Sequence, residues 1–363
     1  MLLGDVLELR HGPMHEAMAA ARPFFEDLAR VLASSPHKQL VLVAGNHDHA
    51  LVEPWLAARG GEQEPAALSV EQLLEPAQVS PTLGKIADWV APAPVRVAYP
   101  GLWLRPDVYA THGHYLDCHL TMPTLERLSV GAMSRVLRRP ASSFTSVEDY
   151  EAVGSPLFAW RDAVARNGHT GSTLNGLATA TVWTALTGTG EQNGSGRGRL
   201  SRRLRRRALA GLFPLAVATL NRAGIGPLRA DLSLAELRRA GLSAMGEVAA
   251  RLELADAYVV FGHTHRAGPF PDDQPAEWFG RAGARLVNCG SWTYSRFFLD
   301  DAAGVSPYWP GTAVLVDEDG PPRVLSLLAD RTHAQLAPPP RSPLAKMAAA
   351  ASAREGGLAA SGA

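Results

Sequence analysis

Four short polar clusters in this 363-residue sequence carry the side-chain types that hold divalent cations. They are the carboxylate of Asp5, the amide and imidazole of Asn46 and His47, the imidazole of His112, and the imidazoles of His263 and His265. A carboxylate can bridge two ions, and imidazole nitrogens and amide oxygens complete their shells. Two such ions a few ångströms apart neutralise the oxygens of a phosphate ester and turn a shared water into hydroxide near neutral pH. Taken singly, each residue is as well explained as a cap or as a loop histidine with its bonds satisfied. Only their joint occurrence points to hydrolysis of an anionic ester. His11, His15, His37, His169 and His333 fall in no such sequence pattern and are assigned no role.

Each cluster follows an apolar run that reads as a strand. Met1 to Leu3 leads into Gly4-Asp5, and Gln39 to Val43 leads into Gly45-Asn46-His47-Asp48. Val95 to Ala98 and Leu102 to Ala110, joined by a Pro-Gly turn, lead into Thr111-His112-Gly113-His114. Ala257 to Phe261 leads into Gly262-His263-Thr264-His265. Further strands are expected at Arg285 to Asn288, Thr312 to Val316 and Arg323 to Leu327, with a hairpin turn at Asp319-Gly320. Helical spacing marks Met14 to Leu32, and helices broken by loops are expected from Leu51 to Val90. Polar clusters at strand ends are where ligands gather in open α/β sheets.

In this order and placement the clusters resemble the successive signatures of the calcineurin-like metallophosphoesterase family. Asn288-Cys289-Gly290-Ser291-Trp292 is similar to the loop that follows the last of them there. The resemblance implies an α/β fold of two packed mixed β-sheets flanked by helices, an αββα sandwich with a helical insertion. It implies hydrolysis of phosphate esters or anhydrides by a metal-activated hydroxide. Two divalent ions are expected, manganese first, with iron or zinc equally compatible with the donors. Carried over residue by residue, Asp5 would bridge both metals. Asn46, His112 and His263 would complete the second site, and His265 would serve the first. His47 would protonate the leaving oxygen, with Asp48 fixing its orientation. Glu8 and Asn288 would stand outside the metal ligands, and His114 and Arg266 would reach substrate phosphate.

The family's opening Asp-x-His motif has no counterpart before Asp5. Asp117-Cys118-His119 has the letters but lies after His112, out of order, and is read as coincidence. The first metal site is therefore expected to be short of ligands. Two explanations are open: a start assigned too late, or a degenerate, non-catalytic or single-metal relative.

Composition narrows the classes. Lys plus Arg and Asp plus Glu are equal at 35 each, so no global field draws the chain to nucleic acid. Two cysteines, Cys118 and Cys289, exclude a disulfide framework. The N-terminus lacks a signal-peptide pattern and no apolar run would span a bilayer, so a cytoplasmic protein is expected. The expected organisation is a core in two parts, 1–119 and 256–330, a helical insertion or lid over 120–255, and a disordered tail over 331–363. Within the insertion, seven arginines between Arg197 and Arg207 precede an apolar stretch reaching Leu220. Arg197 to Leu220 reads either as a solvated helix face or as a peripheral membrane contact, which would suit a lipid-linked phosphate substrate. A nucleotide substrate is the other expectation, and nucleic-acid binding is disfavoured.

Overall fold

The computed structural model describes residues 1–10, 13–34, 38–60, 66–167, 214–231, 233–299, 304 and 306–337. The arginine run and most of the tail lie outside the described residues.

One mixed, mostly parallel sheet of seven strands organises the chain. Its strands are β1 (Leu2–Leu3), β2 (Leu40–Val43), β3 (Glu71–Leu74), β4 (Val95–Arg105), β5 (Val108–Thr111), β6 (Tyr258–Phe261) and β7 (Arg285–Asn288). They run in the order β1-β2-β4-β5-β6-β7, with β3 paired to β4. The expected second sheet is a two-stranded hairpin, β8 (Thr312–Leu315) with β9 (Arg323–Ser326).

Strand β4 decides where the polar clusters meet. Its residues 95–98 pair in parallel with β2, and residues 101–105 pair antiparallel with β5. Ala98 pairs with both Val43 and Leu73, and Gly101 with both Glu71 and Thr111. Strand β3 therefore lies on one side of β4, and β2 and β5 share the other. The C-terminal ends of β2 and β5 point at each other across the short gap opposite Tyr99 and Pro100. Ligand-bearing loops from both halves open into that gap.

Alternation along the strands separates two faces. Leu40, Leu42, Val95, Val97 and Tyr99 pack with Phe25 of α1 (Met14–Leu32) and with Leu83, Ile86 and Val90 of α4 (Pro81–Val90). Helices α2 (Glu53–Gly60) and α3 (Pro76–Val79) precede α4. Further along, Tyr109, Val259, Phe261 and Leu286 pack under α5 (Leu125–Val136), α6 (Val147–Asn167) and α7 (Leu234–Arg251). Helix α5 is capped by the Thr124 hydroxyl and α7 by that of Ser233. On the opposite face Val108, Ala110, Val260 and Val287 are covered by Val314, Val316 and Val324 of the hairpin region.

Three sequence expectations need correction. Segment 71–74 is a strand, not part of a helical region, because the open side of β4 offers it a ladder. Residues Val95 to Arg105 form one strand that runs through Pro100-Gly101. The reversal falls instead at Pro106-Asp107, where the Asp107 carboxylate accepts from Arg105 Nε at 2.6 Å. The beginning of the expected tail is ordered as well. Residues His333–Leu336 form a helical turn, α8, with a Thr332–Gln335 capping box. Between β5 and β6 the described residues contain helices and no strand, including a helical segment at 214–222. No helix among the described residues is long and apolar enough to cross a membrane.

Candidate metal centre

Asp5 lies two residues past β1, Asn46 three past β2, His112 directly after β5 and His263 two past β6. These tight exits need unusual backbone. Asp5, His263 and His265 all adopt left-handed conformations, with φ of 54°, 63° and 61°. A Cβ at Gly4 would overlap the His112 ring, and one at Gly45 would overlap the Asp5 carboxylate. Both glycines are dictated by the approach of one donor to another.

Asp5, His112 and His263 offer ligand atoms that all lie within 4.8 Å of one another. His112 Nε2 is 3.3 Å from Asp5 Oδ2 and 3.2 Å from Asn46 Oδ1, and His263 Nδ1 is 3.1 Å from the same amide oxygen. The outer nitrogens are fixed. His112 Nδ1 donates to the Leu3 carbonyl at 2.9 Å, and His263 Nε2 donates to Asp117 Oδ2 at 3.0 Å. Each ring therefore turns a lone pair inward. In this orientation of Asn46, four acceptor atoms converge on one point, an arrangement that a cation would satisfy.

Asn46 shows the same property from the other side. Turned over, its nitrogen would donate to Asp5 Oδ2, His112 Nε2 and His263 Nδ1, and its oxygen would accept from Arg10 Nη1 at 3.0 Å. That is the arrangement suited to an ion-free centre. With the oxygen inward, the amide nitrogen and Arg10 Nη1 face each other as two donors.

Electrostatics follows from the crowding. Burial alone would raise the Asp5 carboxyl, but the charge and hydrogen bond of His112, with His47 beside it, hold it well below the usual range. Burial would depress His112, yet Asp5 outweighs it and pushes the imidazole up to about 9. A proton and a cation would thus compete for one lone pair. His265 is outside the three-residue cluster; burial and then the neighbouring His263 lower it to about 4.

Asp48 binds backbone on both sides of the site. Its buried carboxylate accepts from the backbone N–H groups of Gly45 (2.7 Å), Val6 (2.8 Å), Asp5 (3.2 Å) and Leu7 (3.3 Å), locking two loops together. Burial, then the Asp5 charge, raises its pKa. The carboxylate that meets the His47 ring is Glu8, whose Oε2 lies 2.7 Å from Nδ1. His47 itself stays off the cluster, with Nε2 3.9 Å from Asp5 Oδ2.

The two residues expected to reach phosphate are both buried. Arg266 is buried, with its guanidinium engaged by Asp273 and set 5.3 Å from the Trp278 ring centre. His114 is 4% exposed, with neither ring nitrogen hydrogen-bonded. Burial, then His112, holds it well below the usual histidine range. Asn288 braces the last loop, donating to Gly262 O (3.1 Å) and Thr264 Oγ1 (2.8 Å).

Three residues enter that sequence reasoning missed. Arg10 is 7% exposed, with Nη1 3.0 Å from His47 Nε2 and an ion pair to Glu126 of α5 at 3.8 Å. The period-two spacing of Glu8 and Arg10 was the available signal. Asp117, set aside as coincidence, orients His263, and His119 instead bonds the Tyr150 hydroxyl at 2.8 Å. Asp117→Asn should weaken ion affinity roughly 10–100-fold, the usual effect of losing a carboxylate behind a ligating histidine. Calorimetric titration with Mn²⁺ checks this, and unchanged affinity would refute the role.

Glu151 of α6 is the third. Burial by itself would raise its carboxyl, but the hydrogen bond and charge of His49, the charge of His114 and the Ser155 hydroxyl hold it down at about 2, against an ordinary 4.5. A carboxyl depressed by folding contributes stability above its unfolded value and loses it as pH falls. Acid melting should therefore steepen between pH 4.5 and about 2. Glu151→Gln should flatten that window, as followed by circular dichroism.

A scan against protein-family models, a search of curated proteins and a search of solved structures each returned no match.

Proposed function

We propose that the chain is a calcineurin-like metallophosphoesterase that hydrolyses phosphate esters or anhydrides. The observation that carries this reading is the convergence of ligand atoms from Asp5, His112 and His263, with the Asn46 amide against them, beside a Glu8–His47 pair. When bound, divalent ions would neutralise phosphoryl oxygens and supply hydroxide at neutral pH. Manganese suits the mixed oxygen and nitrogen donors. A second ion, with Asp5 as the bridge and His265 nearby, belongs to the same proposal, as does the hairpin as the second layer of an αββα sandwich.

The rest follows from the chain's own groups. Asp5 and His47 keep 19% and 29% of their side-chain surface open, whereas His112 keeps 3%, so substrate approaches past Asp5 and His47. Arg10 Nη1 and the Asn46 amide nitrogen are two donors for a phosphoryl oxygen, and Arg is suited to that partner. A phosphoryl group that takes Arg10 would uncover the His47 Nε2 lone pair, which could then take up a proton from solvent and pass it to the leaving oxygen. Glu8 holds the ring by Nδ1. A lipid-linked or nucleotide substrate, a cytoplasmic location and peripheral membrane contact through residues 197–220 are parts of this proposal.

One observation favours a second reading, a single-ion binding relative without turnover: His265 stands outside the cluster. Elemental analysis together with Mn²⁺-dependent hydrolysis of an aryl phosphodiester and an aryl phosphomonoester separates the two. Ion binding with no turnover of either substrate would overturn the enzyme reading. Failure to bind any divalent ion would overturn both.

A further inference from the structure

The segment between β5 and β6 reaches into the ion site from behind. Glu151 on α6 is 7% exposed, and its carboxylate collects four partners. Oε1 accepts from the Tyr99 hydroxyl at 2.6 Å and from the Tyr115 hydroxyl. Oε2 accepts from the Ser155 hydroxyl and lies 3.3 Å from His49 Nε2. Tyr99 sits on β4 at the gap between β2 and β5. His49 directly follows Gly45-Asn46-His47-Asp48, and Tyr115 belongs to the turn that begins right after Gly113. The unpartnered His114 ring fills the space between, with its centroid 5.7 Å from His112 and 6.5 Å from His49.

We infer that Glu151 is a positioning residue for the ion site, tying the loop of Asn46 and the loop of His112 to one fixed point on α6. The inference rests on the metal-centre reading above. Each tether is short: His49 is three residues from Asn46, and Tyr115 is three from His112. Three residues span at most about 10 Å fully extended, so displacement at one end is felt at the other. A donor set works only when held to roughly 0.5 Å, and partners outside the set supply that precision. A buried carboxylate with four partners is also an ordinary source of stability. The two roles separate experimentally, because positioning predicts a loss of ion affinity beyond what loss of stability explains.

The test uses the full chain and the variants Glu151→Gln, Tyr115→Phe and Ser155→Ala, each titrated calorimetrically with Mn²⁺. Melting temperature and the electron paramagnetic resonance line shape of the bound Mn²⁺ are read alongside. Ser155 lies on α6 itself, so its loss weakens the network without releasing either loop. Glu151→Gln and Tyr115→Phe should lower Mn²⁺ affinity on the order of tenfold, at the lower end for residues behind a ligand shell, and alter the line shape. Ser155→Ala should lower the melting temperature with affinity unchanged. Wild-type affinity and line shape in Glu151→Gln would overturn this inference alone and leave the ion site standing. So would affinity losses that track melting temperature across all three variants. Should Glu151→Gln fail to fold, Tyr115→Phe and Tyr99→Phe decide by the same two readouts. No Mn²⁺ binding by the wild type would overturn this inference and the metal centre together.

Discussion

Asp5→Asn should lower Mn²⁺ affinity by more than about 100-fold, exceeding what removal of a partner behind the ligands typically does. Asp5 brings the one negative charge in a donor set otherwise made of an amide oxygen and two imidazoles. Asparagine is the informative replacement for a second reason. The position is left-handed, and asparagine tolerates that backbone better than most residues. An oxygen of the new side chain can still accept the His47 N–H that Asp5 Oδ1 accepts at 2.8 Å. The fold should therefore survive and the ion should not. Calorimetric titration with circular dichroism as control measures both, and affinity within tenfold of wild type would remove Asp5 from the ligand set.

His47→Ala should keep its ion content and lose turnover by roughly 10²–10⁴-fold on a substrate whose leaving group is basic, the range for a positioned acid. The ring stands beside the donor set, held by Glu8 at Nδ1, with Arg10 at Nε2. Its proton matters only while the departing oxygen needs one. The loss should shrink for a nitrophenyl ester, whose leaving group departs as a stable anion. Equal losses on the two substrates, or loss of ion content, would contradict the assignment. Glu8→Gln should show the same leaving-group pattern at smaller amplitude, because it disturbs the ring without removing it.

The sequence made the donor set legible because chemistry and spacing agreed there. Asp5, Asn46, His112 and His263 each follow an apolar run, and each run is a strand. What could not be read was the third dimension of the supporting side chains. Nothing in Asp48's position in its motif reveals that its carboxylate accepts backbone N–H groups from a loop forty residues earlier. Asp117 reads as part of a coincidental Asp-x-His, and nothing in the sequence around Glu151 singles it out from its acidic neighbours Glu148 and Asp149. The partners of Asp117 and Glu151, His263 and the Tyr99–Tyr115–His49 group, come from distant strands. Strand β3 was missed because Glu71–Leu74 has little strand character of its own and is made a strand by the free side of β4. Where two packed sheets were expected, the described residues form one seven-stranded sheet and a two-stranded hairpin.

The left-handed backbone at Asp5, His263 and His265 sets binding against stability. A residue with a Cβ in that conformation costs roughly 1–2 kcal/mol relative to an unstrained one. Selection for stability alone would replace these side chains with glycine or asparagine, and a bound ion, if the proposal holds, would offset the penalty by mass action. His265→Gly should accordingly raise the melting temperature of the ion-free chain, by up to about 1 kcal/mol of stability after lost packing is counted. A melting temperature lowered by that change would mean that the histidine ring contributes more to the fold than its backbone takes away. In the expected case, the loops proposed to hold an ion are the places where a chain freed of that task would be the first to drift.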